Sequence, residues 1–164
     1  MRKFGALAAL IAALCVASCD DVANLVGIKE VSPQAIQRAA TDPRVKQFYE
    51  ARQWQPAWSN GNAGDLLEAI KAAEKHGINA DRFLAIVGEA QDPAREEAAL
   101  TQAALAYAEA LSAGMANPKK VWGIYTVARP KTDLVAGLNG ALEGGDVGEW
   151  LDSLAPQDEE YQVM

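Results

Sequence analysis

DPAREEAALTQAALAYAEALSAG, residues 92–114, is the stretch that decides the fold. Asp92 can accept a hydrogen bond from the free N–H groups of a starting helix, and Pro93 at the first helical position loses no needed donor. Leu100, Ala103, Tyr107 and Leu111 then recur at helical spacing. Gly114 closes the run. The pattern predicts one long helix from about Pro93 to Ala113.

The same device, a capping residue followed by proline, recurs at Ser32-Pro33, Asp42-Pro43 and Asn117-Pro118. Stripes accompany it. Val45, Phe48, Tyr49 and Arg52 read i, i+3, i+4, i+7, with the Arg52 stem lying along the apolar face. Leu66, Leu67, Ile70 and Ala73 form the next stripe, ended by His76-Gly77. Phe83, Ile86 and Val87 support a short helix after Asp81. Leu134, Val135, Leu138 and Leu142 make another, closed by Gly144-Gly145. Val147, Trp150, Leu151 and Leu154 make the last, stopped by Pro156. Trp150 is expected to be buried in the core. Two stretches do not read as helix. Gln53–Gly64 holds Trp54, Pro56 and Trp58 and reads as a loop pinned by indoles. Val121–Val127 is rich in β-branched and aromatic residues and suits a short extended segment. The fold class is therefore mainly α: a compact helical bundle with at most one short extended pair.

The chain has 164 residues, 50% hydrophobic and 23% charged, which suits one domain with a real core. The formal charge of −7, from 22 acids and 15 bases, argues against nucleic acid as a partner. One histidine and two cysteines leave almost no material for a metal site or a Cys–His pair. No cofactor, metal ligand or catalytic residue is assigned.

The N-terminus reads as an address. Arg2 and Lys3 precede Phe4–Ser18, which carries no charge. Fifteen helical residues span roughly 22 Å, short of the ~30 Å hydrocarbon core. A secretory h-region fits better than a spanning helix. Val16-Ala17-Ser18-Cys19 resembles a bacterial lipobox, which places cleavage before Cys19 and lipid on its sulfur. A plain secretory peptide or uncleaved anchor, with Cys19 incidental, is the other reading. Residues 1–18 would then be the signal peptide, 19–31 a tether and 32–164 the helical domain. Cleavage leaves 13 bases against the 22 acids. Several acyl chains anchor firmly where one, at ~0.8 kcal/mol per CH₂, holds marginally. The membrane is thus the expected partner, through Cys19. Asp20 resembles the signal that retains lipoproteins in the inner membrane, on its periplasmic face.

Four segments in order resemble one module, the helical scaffold domain of large bacterial L,D-transpeptidases. Phe48–Trp58 is similar to that family's Y-x-x-R-x-y-x-P-x-W opening, through Tyr49, Arg52, Trp54, Pro56 and Trp58 as they stand in FYEARQWQPAW. Ala73-Glu74-Lys75-His76-Gly77-Ile78 resembles its A-x-x-H-G-L turn. Tyr107, Leu111, Gly114, Asn117 and Pro118 resemble a third segment. Leu151, Leu154, Pro156 and Tyr161 resemble the closing one. Full-length members are envelope enzymes that make 3→3 cross-links in peptidoglycan. Their catalytic domain, which follows the scaffold and a peptidoglycan-binding module, carries a Ser-His-Gly-Cys-type motif. This chain has no such motif and no cysteine after Cys19. The resemblance therefore implies a scaffold portion, incomplete at its C-terminal end, with peptidoglycan or an envelope protein as partner. Two alternatives stay open: an independent helical adaptor lipoprotein, and a small wall hydrolase using its carboxylates.

Individual residues take bland readings. His76 is a helix-end histidine beside the carbonyl dipole. Trp54 and Trp58, which could stack on sugar rings, are assigned to packing. Glu68, Glu74, Glu96, Glu97 and Glu109 read as solvated helix faces, although paired carboxylates would suit glycosidic chemistry. Lys119, Lys120, Arg129 and Lys131 form one basic cluster, read as a solvated loop. The lipobox yields a direct test. Cys19→Ala should abolish incorporation of a fatty-acid probe and leave the chain as uncleaved precursor or soluble protein; unchanged acyl labelling would refute lipidation.

Overall fold

The computed structural model describes residues 31–58, 61–115 and 132–157. Seven helices lie there: α1 (Pro33–Ala39), α2 (Pro43–Ala51), α3 (Asn62–Lys71), α4 (Asp81–Gly88), α5 (Pro93–Ala113), α6 (Leu134–Gly144) and α7 (Val147–Leu154). All belong to the compact unit that begins at Val31. No strand is found among the described residues, and the architecture is a helical bundle. The expected extended segment Val121–Val127, the basic cluster, Asn117-Pro118 and the Cys19 region lie outside the described residues.

The caps form as their chemistry requires. The Ser32 hydroxyl accepts from the Ala35 N–H at 3.3 Å. The Asp42 and Asp92 carboxylates accept from the Arg44 and Arg95 N–H groups at 2.8 and 2.9 Å. Asp133 does the same for α6, through the Ala136 N–H at 3.0 Å. Each removes one orphan donor from a helix start, for about 1 kcal/mol.

Helix α5 is the axis of the bundle. The other six helices all pack against it. Its own buried residues are mostly alanines, with Ala103, Ala104 and Ala108 wholly inaccessible. Small side chains let neighbouring backbones come close. The volume is supplied from outside by Ile36, Phe48, Leu66, Ile70, Phe83, Leu138 and Leu151, each at most 1% exposed. Tyr107 adds the one large ring on α5 and meets Phe83 of α4 at 5.4 Å between centroids.

Three expectations are corrected. Trp150 is only partly buried: its indole lies along Gly137 of α6, where a methyl group would sit 2.7 Å from Nε1. The α6 surface there is filled by the ring's flank, so the rest of the indole remains at the edge of the core. Helix α3 starts at Asn62, inside the stretch read as loop. The Asn62 side chain is buried and donates to the Leu142 carbonyl at 3.2 Å, which ties that start to the end of α6. The stripe Leu66–Ala73 is also not one uniform helix. It tightens into a 3₁₀ turn over Ala72–His76, closed by Gly77 at φ 66° with Ile78 N–H on the Ala73 carbonyl at 3.2 Å. Phe83 is the only fully buried residue of the α4 stripe, with Ile86 and Val87 packed at its margin.

The alanine face makes a prediction. Ala104→Leu adds three carbons where six helices converge on one, and should cost about 1–3 kcal/mol. Urea denaturation measures it; an unchanged midpoint would show that α5 has free space at that position.

Candidate functional site

The end of α2 and the turn after it hold the densest polar geometry. Helix α2 closes with a six-to-one bond from the Trp54 N–H to the Tyr49 carbonyl at 2.8 Å, and with the Gln53 N–H on the Glu50 carbonyl at 3.2 Å. That closure puts Gln53 and Trp54 at φ 53° and 62°. Glycine ordinarily occupies such a position; each non-glycine residue costs roughly 1–2 kcal/mol. The strain is offset by packing, because the Trp54 ring stacks on Tyr49 at 6.4 Å and 12°. This is the apolar contact that accompanies such caps.

Beyond Trp54 the turn docks on α5 through Glu97, which is 7% exposed. One carboxylate oxygen, Oε1, accepts from the Ala57 N–H, from the Trp58 N–H at 3.3 Å and from the Tyr49 hydroxyl at 3.1 Å. The Trp58 Nε1–H donates to the Thr101 hydroxyl at 2.9 Å, and Thr101 lies 2.9 Å from the Tyr49 hydroxyl. The bonds can run in one direction: Trp58 to Thr101, Thr101 to Tyr49, Tyr49 to the carboxylate. Burial, and the Glu97 charge after it, hold the Tyr49 phenol far above its usual range. Tyr49 therefore stays a neutral donor. Glu97 is thus a buried acceptor, which corrects its reading as part of a solvated helix face. The sequence held a partial signal, since Glu97 lies three and four residues before Leu100 and Thr101 on the inward stripe. Its donors lie 39 and 40 residues away in sequence, where no local pattern shows them.

Arg52, which caps the C-terminus of α2, lines an open groove between α2 and α6, about 800 Å³ in volume. Gln47, Ala51 and Gln55 line one wall; Asp133, Val135, Ala136, Asn139, Gly140 and Glu143 line the other. The guanidinium lies over the Phe48 ring at 5.6 Å. Its Nη1 donates to the Asn139 amide oxygen at 3.1 Å and faces Glu143 at 3.8 Å. Its Nε is buried and finds no hydrogen-bond partner among the described residues.

The remaining singled-out residues do not converge. Trp54 and Trp58 are half-buried against the core, as their packing reading expects. His76 ends the 3₁₀ turn; burial and then Lys75 lower its pKa, against the opposing pull of Asp152. Lys75 itself meets Asp152 of α7 at 2.8 Å across an exposed surface. Glu68, Glu74 and Glu96 are exposed, and Glu109 pairs with Arg44 at 2.8 Å. Among the described residues, no three His, Cys, Asp or Glu side chains group as a metal site, and no helix is long and apolar enough to cross a membrane.

The geometry defines a helical bundle built to hold its own turns and one charged groove. A family model described as Scaffold domain matches residues 43–164, most of the chain, and the chain belongs to that family. The match opens at Pro43, the first residue of α2, so α1 lies outside it although Ile36 is wholly buried in the same core. No curated protein and no solved structure matches the chain.

The buried carboxylate sets a ranked prediction. Glu97→Ala strands the Ala57 and Trp58 N–H donors, while the Tyr49 hydroxyl keeps the Glu97 main-chain carbonyl at 2.9 Å, and it should cost about 3 kcal/mol. Glu97→Gln keeps an acceptor oxygen and should cost less. Tyr49→Phe removes the hydroxyl's contacts with Glu97 and Thr101 but leaves the two backbone donors on the carboxylate, and should cost about 1–2 kcal/mol. Chemical denaturation of the three variants checks the order; equal effects would mean the turn does not depend on Glu97.

Proposed function

We propose that this chain is the non-catalytic scaffold portion of an L,D-transpeptidase-like envelope lipoprotein, tied to peptidoglycan cross-linking and wall remodelling. The observation that carries the reading is the coincidence of the family match with the residues that bear the resemblance. Tyr49 and Trp58 belong to the Glu97 network, and Trp54 covers Tyr49. Gly77 closes the 3₁₀ turn; Tyr107, Leu111 and Leu151 are core residues. Each resembling segment thus supplies a residue on which the bundle's geometry rests, as a scaffold requires.

The role is positional. Lipid on Cys19 holds the domain at a membrane face, and the helical surfaces set the orientation of a partner domain or wall strand. Acyl transfer between stem peptides needs a nucleophile and a nearby base. The family's nucleophile is a cysteine, and the cysteines of this chain are Cys15 in the leader and Cys19 in the lipobox.

Two measurements test this. The full chain treated with a carbapenem should keep its intact mass and should form no 3→3 product from tetrapeptide donors; an adduct on any residue would overturn the non-catalytic assignment. Sequencing of the adjoining gene region should find a peptidoglycan-binding module and a Ser-His-Gly-Cys-type motif. An unrelated gene in that place would favour the independent adaptor lipoprotein instead.

A further inference from the structure

The C-terminal end of α5 carries a contact that the core does not explain. Gly114 closes the helix at φ 73°, and the next residue, Met115, is 46% exposed. It is the one large hydrophobic side chain left exposed among the described residues. Its sulfur faces the first turn of α4, where the Arg82 Nη1 lies 3.7 Å away. The Arg82 guanidinium also lies over the Phe83 ring at 5.3 Å, and Phe83 meets Tyr107 of α5 in the core. No carboxylate pairs with Arg82 among the described residues. A guanidinium offers five donors, and a thioether is a weak acceptor. Arg82 is thus held at the α4–α5 seam by a poor acceptor, and the chemistry of that acceptor is open to change. A thioether in contact with water can be oxidised to a sulfoxide, which is polar and carries an exposed oxygen.

We propose that Met115 is an oxidation site, with a peroxide as the oxidant, and that its sulfoxide tightens the clasp between the end of α5 and the start of α4. This goes beyond the scaffold reading and does not rest on it. A sulfur lone pair attacks one oxygen of hydrogen peroxide. The O–O bond breaks, an S–O bond forms, and the departing hydroxide takes up the remaining proton as water. The sulfur loses two electrons and the peroxide gains them. The direction of the effect follows from exposure. A methionine oxidised inside a core brings a polar oxygen to where no donor meets it, and packing is lost. Met115 already stands in water, so its oxidation buries no new polar group. The new oxygen extends from a sulfur 3.7 Å from the guanidinium, which brings it within ordinary hydrogen-bond reach of Arg82. A charged donor then meets a strong acceptor in place of a weak one.

The experiment treats the full-length chain, in detergent micelles, with hydrogen peroxide. Peptide mass spectrometry locates the added oxygen, and amide hydrogen exchange is compared before and after. Met115 should gain one oxygen. Exchange should slow about threefold at the Gly114 N–H, which bonds to the Ala110 carbonyl, and at the Phe83 and Leu84 N–H groups, which bond to the Ala80 carbonyl. That size is the gain expected of one exposed charge-assisted contact. Arg82→Ala should still oxidise at Met115 but show no slowing. Met115→Gln puts an amide oxygen near the place of the sulfoxide oxygen. It should slow the same amides without oxidant, so that oxidation of Met1 or Met164 is not the cause. No oxygen on Met115, faster or unchanged exchange after oxidation, slowing that persists in Arg82→Ala, or no effect of Met115→Gln would each overturn the proposal.

Discussion

Six helices converge on one, and that is possible only because the one is nearly smooth. A helix can be approached to the short end of the usual 8–10 Å separation only when the residues at the contact are small. The alanines of α5 meet that condition around most of its circumference. The arrangement divides labour: α5 supplies surface, and its neighbours supply bulk through Phe48, Leu66, Ile70, Phe83, Leu138 and Leu151. Burial of each such side chain contributes about 1.5–3 kcal/mol, and Leu100, Leu105, Tyr107 and Leu111 add the bulk that α5 itself brings.

Glu97 is the buried charge on that helix. A buried carboxylate is costly unless its oxygens are met by donors. Here the donors come from a turn, so the need of the charge and the need of the turn are met together. The turn in turn holds two residues in left-handed conformations, which the chain tolerates because Trp54 stacks on Tyr49 and Trp58 bonds to Thr101. Tyr49 therefore serves three neighbours: its carbonyl closes α2, its ring carries Trp54, and its hydroxyl meets the carboxylate.

Just past the end of α2, its capping residue Arg52 lies on the groove side. The buried network and the groove are neighbours in sequence: Arg52 caps α2 three residues after Tyr49, and Gln55 follows the left-handed pair directly.

How much of this was legible in sequence depended on the range of the interaction. Helix limits were legible because they are local: Asp92-Pro93 and Gly114 bound α5 as their capping chemistry dictates, and the Phe48–Tyr49 and Leu138–Leu142 stripes mark faces that are buried. The resemblance in Phe48–Trp58 and Leu151–Pro156 likewise carried the family. Long-range facts were not legible. Glu97 read as solvated because glutamate usually is, and only the arrival of Ala57 and Trp58 makes its burial favourable. Trp150 read as core from helical spacing, but spacing gives a direction and not a depth; how far an indole enters is set by the opposing helix, here Gly137. The groove was invisible for the same reason, since Arg52 and Asn139 lie 87 residues apart and meet only when α2 and α6 pack. Sequence by itself determined most helix limits and the family they form, though not the start of α3 or the 3₁₀ turn after it. The tertiary structure alone decided which polar groups are buried together, because desolvation and hydrogen-bond pairing depend on neighbours that the chain brings from far along its length.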